Sequence, residues 1–154
     1  MSFVTVVNGD LLLAKERYIA HQCNCVSTNA HALAASLYIK YPYANTYQYR
    51  MYKNTSTYSK PGTTDVNTST TSNKVIVNMY AQYYPGKAKY NDTNQIRMTW
   101  FKQCLNQLLS LSCNEIAMPY NIGCGAAGGD WNTYYNTIVD FANTHHIHIT
   151  LYKL

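Results

Sequence analysis

The chain has 154 residues, with 12 Lys plus Arg against 7 Asp plus Glu, for a formal charge of +5. That length fits one domain spanning 1–154, and a hydrophobic share of 47% excludes wholesale disorder. No apolar run approaches the roughly 18 residues of a membrane span, no basic leader precedes a hydrophobic stretch, and the lysines are too scattered to make nucleic acid an expected partner.

Phe3 to Val7 is apolar and β-branched and stops at Asn8-Gly9-Asp10, which reads as a strand entering a turn. Tyr18 to Cys25 reads as a second, buried strand. Ala30 to Tyr41 is Ala/Leu-rich and ends before Pro42, so it predicts a helix with Thr28 or Asn29 as its cap. Residues 43–73 carry no clear period; the Tyr-rich start reads as helix or loop, and the Ser/Thr/Asn-rich remainder as a loop or hairpin.

Lys74 to Ala81 reads as a strand, followed by a loop over Tyr83 to Asn91. Asn94 to Leu111 repeats Ile96, Trp100, Cys104, Leu105, Leu108, Leu109 and Leu111 at three- and four-residue steps, the signature of a half-buried helix. Glu115 to Pro119 is a short strand and Asn121 to Gly129 a Gly/Ala loop. Asp130 then caps a helix that presents Trp131, Tyr134, Tyr135, Ile138, Val139 and Ala142, and Ile147 to Tyr152 is a last strand. This order predicts an α/β fold, a three-layer α/β/α sandwich around a central mixed sheet.

Five cysteines, an odd number, predict free thiols in a reducing, cytoplasmic setting. Cys23 and Cys25 are expected on opposite sides of the strand, as a poor chelate, so no metal is expected. The triplet around His145, His146 and His148 reads as surface rather than as a metal site.

Two segments offer a place for an anion. Met118-Pro-Tyr-Asn-Ile-Gly-Cys-Gly-Ala-Ala-Gly-Gly-Asp-Trp131 runs from strand through a glycine-bearing loop into a helix, so backbone N–H groups and a helix start converge there. The spacing matches neither a Walker loop nor a dinucleotide-binding glycine pattern. His21-Gln22-Cys23-Asn24-Cys25 leads through Val26 to Ala34 in the same strand–loop–helix order. Two such junctions at strand C-termini form the usual ligand crevice of an open α/β sheet. Asp10 follows the first strand at the same rim, as a turn residue or as an acceptor for an adenine amino group.

The chain here resembles the macro domain family over nearly its whole length. Val7-Asn8-Gly9-Asp10-Leu11, Asn24 and Asn121 to Trp131 carry the likeness. Within the family it is most similar to the fungal-type ADP-ribose 1''-phosphate phosphatase branch, through His21-x-Cys23-Asn24-Cys25, Lys40-Tyr41-Pro42, Met118-Pro119, Gly125-x-x-Gly128-x-x-Trp131 and Leu151-Tyr152-Lys153-Leu154. The resemblance implies an ADP-ribose-type ligand, no cofactor, and ADP-ribosylated protein as a further partner class. It places Asp10 on the adenine amine, Leu11 as a backbone contact, Tyr152 stacked on adenine, Gly123, Cys124, Gly125, Ala126 and Ala127 around the diphosphate, and Asn24 on the distal ribose. It also implies a catalytic role for His21, an imidazole suited to proton transfer near neutral pH.

Where the family has consecutive glycines, this chain has Ala30-His31-Ala32. That substitution predicts a reshaped first loop, with His31 on a phosphate or in solvent. A lysine-dependent branch of the family needs a Lys and an Asp where this chain has Gln82 and Ala127, so that mechanism is not expected. Two readings follow. One is a metal-free phosphatase acting on ADP-ribose 1''-phosphate with His21 and Asn24. The other is a reader or sequestering module for ADP-ribose-type ligands.

Overall fold

The computed structural model describes residues 2–154. Six strands form one sheet: β1 (Val4–Asn8), β2 (Tyr18–Asn24), β3 (Thr64–Asn67), β4 (Val75–Gln82), β5 (Glu115–Pro119) and β6 (His148–Lys153). Their order is β1-β6-β5-β2-β4-β3, with every pair parallel except β3 against β4. The sheet is therefore mixed by one edge strand. The three helices are α1 (Ala32–Lys40), α2 (Asn94–Gln107) and α3 (Trp131–His145).

Successive residues of a strand face opposite sides, and β2 and β4 are buried on both. Ala20, Val77, Met79 and Met118 pack with Phe101, Leu105, Ile138 and Ala142 of α2 and α3. Ile19, Cys23, Ile76 and Tyr80 pack with Leu37 and Tyr38 of α1 and with Tyr41, Ala44 and Tyr47 beyond it. The expected three layers are present, with two helices on one face and α1 plus irregular chain on the other.

Several local expectations differ from the structure. α1 begins at Ala32 with His31 at its N-cap position, so neither Thr28 nor Asn29 caps it. Residues 43–73 hold short 3-10 turns at Pro42–Ala44, Tyr47–Tyr49 and Thr55–Thr57, and then β3. Such single turns carry no apolar period, which is why the sequence leaves them open. The buried face of α2 is Arg97, Phe101, Cys104 and Leu105, continuing to Leu108, and Leu109 is 42% exposed. The chain tightens to a 3-10 turn over Leu108–Leu111, which rotates Leu109 away from the core. Cys23 and Cys25 both face the α1-side core, against the expectation of opposite sides, because residues two apart on an extended chain point the same way. All five cysteines are free.

The C-terminal ends of the parallel strands gather along one rim. β5 and β2 are neighbours there, and the chain leaves β2 toward α1 on one face and β5 toward α3 on the other. That divergence opens a crevice between two adjacent strand ends.

Candidate ligand-binding crevice

The crevice encloses about 360 Å³ where the loop after β2 meets the loop after β5. His21, Asn24, His31 and Ala32 line it from one side, and Gly123, Cys124, Gly125, Ala126 and Ala127 from the other. Leu33, Pro119, Tyr120 and Asn121 continue into a second hollow bordered by Asp10, Leu11 and Tyr152. The positions singled out from the sequence thus fall along one continuous groove, with the exception of Ala30. Ala30 packs instead against the core under α1.

At the end near β1, Asp10 Oδ1 accepts the Leu12 N–H at 2.9 Å and caps a 3-10 turn over Leu11–Leu13. The turn role and a place on the groove wall coexist. The Tyr152 hydroxyl donates to Glu16 Oε1 at 2.6 Å, which fixes its ring beside Gly9.

The glycine-bearing loop is tightly shaped. Gly123 sits at φ +77°, and a Cβ there would stand 2.5 Å from the Tyr134 ring. Asn121 also has positive φ, at 72°. Asp130 Oδ2 accepts the Thr133 N–H at the start of α3.

The loop after β2 reaches its shape by other means. Asn24 Oδ1 accepts the Val26 and Ser27 N–H groups at 3.1 and 2.8 Å. The Tyr47 hydroxyl accepts the Asn24 N–H, and Arg50 donates to Ser27 O at 3.1 Å and to Ser59 Oγ at 2.6 Å. The Ser59 N–H donates to Cys25 O. Residues 47–59 therefore hold this loop from outside. Ala32 adopts φ +51°, a conformation that glycine takes freely. A left-handed alanine costs about 1–2 kcal/mol, against about 0.5–1 kcal/mol of extra chain entropy for glycine. Ala32→Gly should consequently raise the melting temperature by about 2 °C; a drop in calorimetry would show that the alanine carries no such strain.

α1 starts without help. Thr93 Oγ1 caps α2 and Asp130 caps α3, but His31 makes no side-chain bond at the N-cap of α1. Ala32, Leu33 and Ala34 of that first turn border the crevice. The unsatisfied N–H groups of a helix start favour an anion.

His21 stands at the other end, beside Gln22 and Asn24. Its ring is almost fully buried, with the residue 1% exposed. Asn78 Nδ2 donates to Ala44 O and to Asp65 Oδ1, so Asn78 Oδ1 is an acceptor. It receives the Tyr38 hydroxyl at 2.8 Å and His21 Nε2 at 2.6 Å, which places the imidazole proton on Nε2. Burial lowers the His21 pKa to about 4, outweighing the Asn78 bond and the Asp65 charge. The ring is neutral at pH 7. Burial pushes the neighbouring Cys23 thiol up to about 12.

Sequence reasoning passed over Gln22, Tyr47, Pro85 and Gly86 as crevice residues, and treated Gln82 only as a missing lysine. Gln22 Nε2 donates to Gln82 Oε1 at 2.8 Å, and Gln82 Nε2 to Tyr84 O at 2.9 Å. A register skip opposite Asn24 brings Gln82 to the strand end. Among the described residues no cluster of His, Cys, Asp and Glu is arranged to hold a metal, and no helix is long and apolar enough to cross a membrane.

Solved structures share this architecture. A Bacteroides thetaiotaomicron protein matches with a TM-score of 0.74 at 21% identity, covering 98% of this chain and 99% of that one. The macrodomain of Thermus aquaticus DarG matches at 0.69 and 18% identity, covering 97% and 96%. The chain has the macrodomain fold. Thermosipho africanus DarTG, solved in complex with ADP-ribose, matches at 0.69 and 12% identity over 98% of this chain and 41% of that one. No protein-family model and no curated protein matches the sequence.

Proposed function

We propose that the crevice captures ADP-ribose or a close derivative. The observation that carries this reading is the convergence of two anion-binding elements on one groove. The uncapped start of α1 and the glycine-bearing loop after β5 border the same hollow. Asp10 and Tyr152 stand at one end, suited to an adenine amine and an adenine face. Asn24 and the Gln22–Gln82 amide pair stand at the other, suited to a ribose with free hydroxyls. ADP-ribose in the Thermosipho complex supports the same ligand class.

Capture without turnover is favoured over dephosphorylation of ADP-ribose 1''-phosphate. The phosphatase reading keeps His21 and Asn24 at the crevice end as its support. A terminal phosphomonoester, however, brings a charge of about −1.5 to −2. No Lys or Arg side chain borders that part of the crevice among the described residues, and His21 is neutral with Nε2 turned to Asn78. An imidazole of pKa about 4 holds little proton to give a leaving oxygen at pH 7.

Thermal unfolding with and without ADP-ribose tests the ligand class. At a hundred times its dissociation constant ADP-ribose should add about 2.7 kcal/mol. Unchanged stability with ADP-ribose and with its 1''-phosphate would remove the proposal. Phosphate release from ADP-ribose 1''-phosphate that disappears in His21→Ala would instead make the protein the phosphatase.

A further inference from the structure

Arg97 lies on α2, a helix to which the resemblance assigns no ligand contact, and its side chain is 2% exposed. A guanidinium has five N–H donors, and here each has an acceptor. Nε donates to Asp92 Oδ1 at 2.8 Å and Nη2 to Asp92 Oδ2 at 2.8 Å. Nη2 also donates to Tyr84 O at 3.1 Å. Nη1 donates to Gly86 O at 2.8 Å and to Ala127 O at 3.4 Å. Asp92 Oδ2 in turn accepts the Tyr83 and Tyr84 N–H groups.

Pro85 and Gly86 border the crevice from the loop after β4, while Ala126 and Ala127 border it from the loop after β5. One buried guanidinium joins the two. Lys87 adds a contact between the same loops, since its aliphatic stem lies across Gly128. Two loops are in this way tied to one helix. The Asp92–Arg97 pair is a bidentate, charge-assisted contact, so its geometry is set by both bonds.

We propose that Arg97 is a positioning residue that locks the Tyr84–Gly86 segment to the glycine-bearing loop and so fixes the width of the crevice around the ligand's diphosphate. The inference rests on the ADP-ribose reading for its ligand and on the hydrogen bonds for its mechanism. Arg97→Lys is the informative variant. Lysine keeps a positive charge opposite Asp92 but offers a single donor centre, which cannot span Asp92, Tyr84 O, Gly86 O and Ala127 O together.

Calorimetric binding of ADP-ribose, ADP and adenosine should be measured with both forms, alongside amide hydrogen exchange over residues 83–87 and 122–129. Arg97→Lys should weaken ADP-ribose and ADP about tenfold or more, the worth of a well-placed hydrogen bond to a charged group, and leave adenosine unchanged. Exchange should quicken in both loops together. Equal losses for all three ligands would reduce Arg97 to a general structural residue and overturn the proposal, as would unchanged affinity with unchanged exchange. Should the unmutated protein bind none of the three, the ADP-ribose reading fails, and exchange alone decides whether Arg97 joins the loops. If Arg97→Lys does not fold, Asp92→Asn serves in its place, since it preserves shape while releasing the guanidinium from one charged partner.

Discussion

Moving from pH 7.5 to pH 4.5 is expected to cost the fold about 2.5 kcal/mol through His21 alone. In the unfolded chain the imidazole takes a proton near its ordinary value of 6.5, whereas burial holds it to about 4 in the folded protein. Between those values the unfolded chain binds the extra proton, so acid draws the equilibrium toward it. Stability from this group is complete above pH 6.5 and is lost as pH falls through 4. A second proton would go on Nδ1, whose neighbour is the Cys23 sulfur, a weak acceptor 3.8 Å away, while Nε2 is already engaged with Asn78. Urea unfolding across that range should show the slope in the natural protein and a shallower one in His21→Gln. Matching slopes would mean that water reaches the ring.

Asp92→Ala should cost about 3–5 kcal/mol, the price of leaving a buried charge without its partner. The change strips two charge-assisted bonds from Arg97 and removes the acceptor of the Tyr83 and Tyr84 N–H groups. Burial raises the Asp92 pKa, yet the Arg97 bonds, the Tyr84 N–H, the Arg97 charge and the Tyr83 N–H together hold it below the usual carboxylate value. The pair is therefore intact above about pH 4 and weakens only below it. Denaturant midpoints at pH 7 measure the effect; a loss under about 1 kcal/mol would place the guanidinium in contact with solvent.

Much of the scaffold is written in local pattern. The β-branched run at Val4–Asn8, the apolar run at Val75–Gln82 and the capped start at Asp130 each specify their element from a few neighbours. The rim positions of Asp10, Tyr152 and the glycine-bearing loop are legible for a similar reason: Asp10 and the loop follow a strand and Tyr152 stands near the end of one.

What stays hidden depends on distant partners. Tyr47 and Arg50 lie in a stretch without period, and only tertiary contact gives them a place behind the loop after β2. Arg97 left one trace in the sequence. It keeps the spacing of Phe101, Cys104, Leu105 and Leu108, so a cation occupies a position in phase with the core face of α2. A charge in that phase implies a buried acceptor, and Asp92 lies five residues before it. The role of Gln82 was obscured by the register skip opposite Asn24, which no local pattern records.

The loop after β2 has a wider meaning for how such pockets diversify. Its curve is imposed by Tyr47, Arg50 and Ser59, so the peptide that borders the crevice is relieved of supplying its own flexibility. Composition at the bordering segment is then less constrained, while the constraint falls on a stretch 23 positions downstream. A mutational scan should accordingly find the stretch around Tyr47 and Arg50 less tolerant than Ala32 and Ala34 at the crevice.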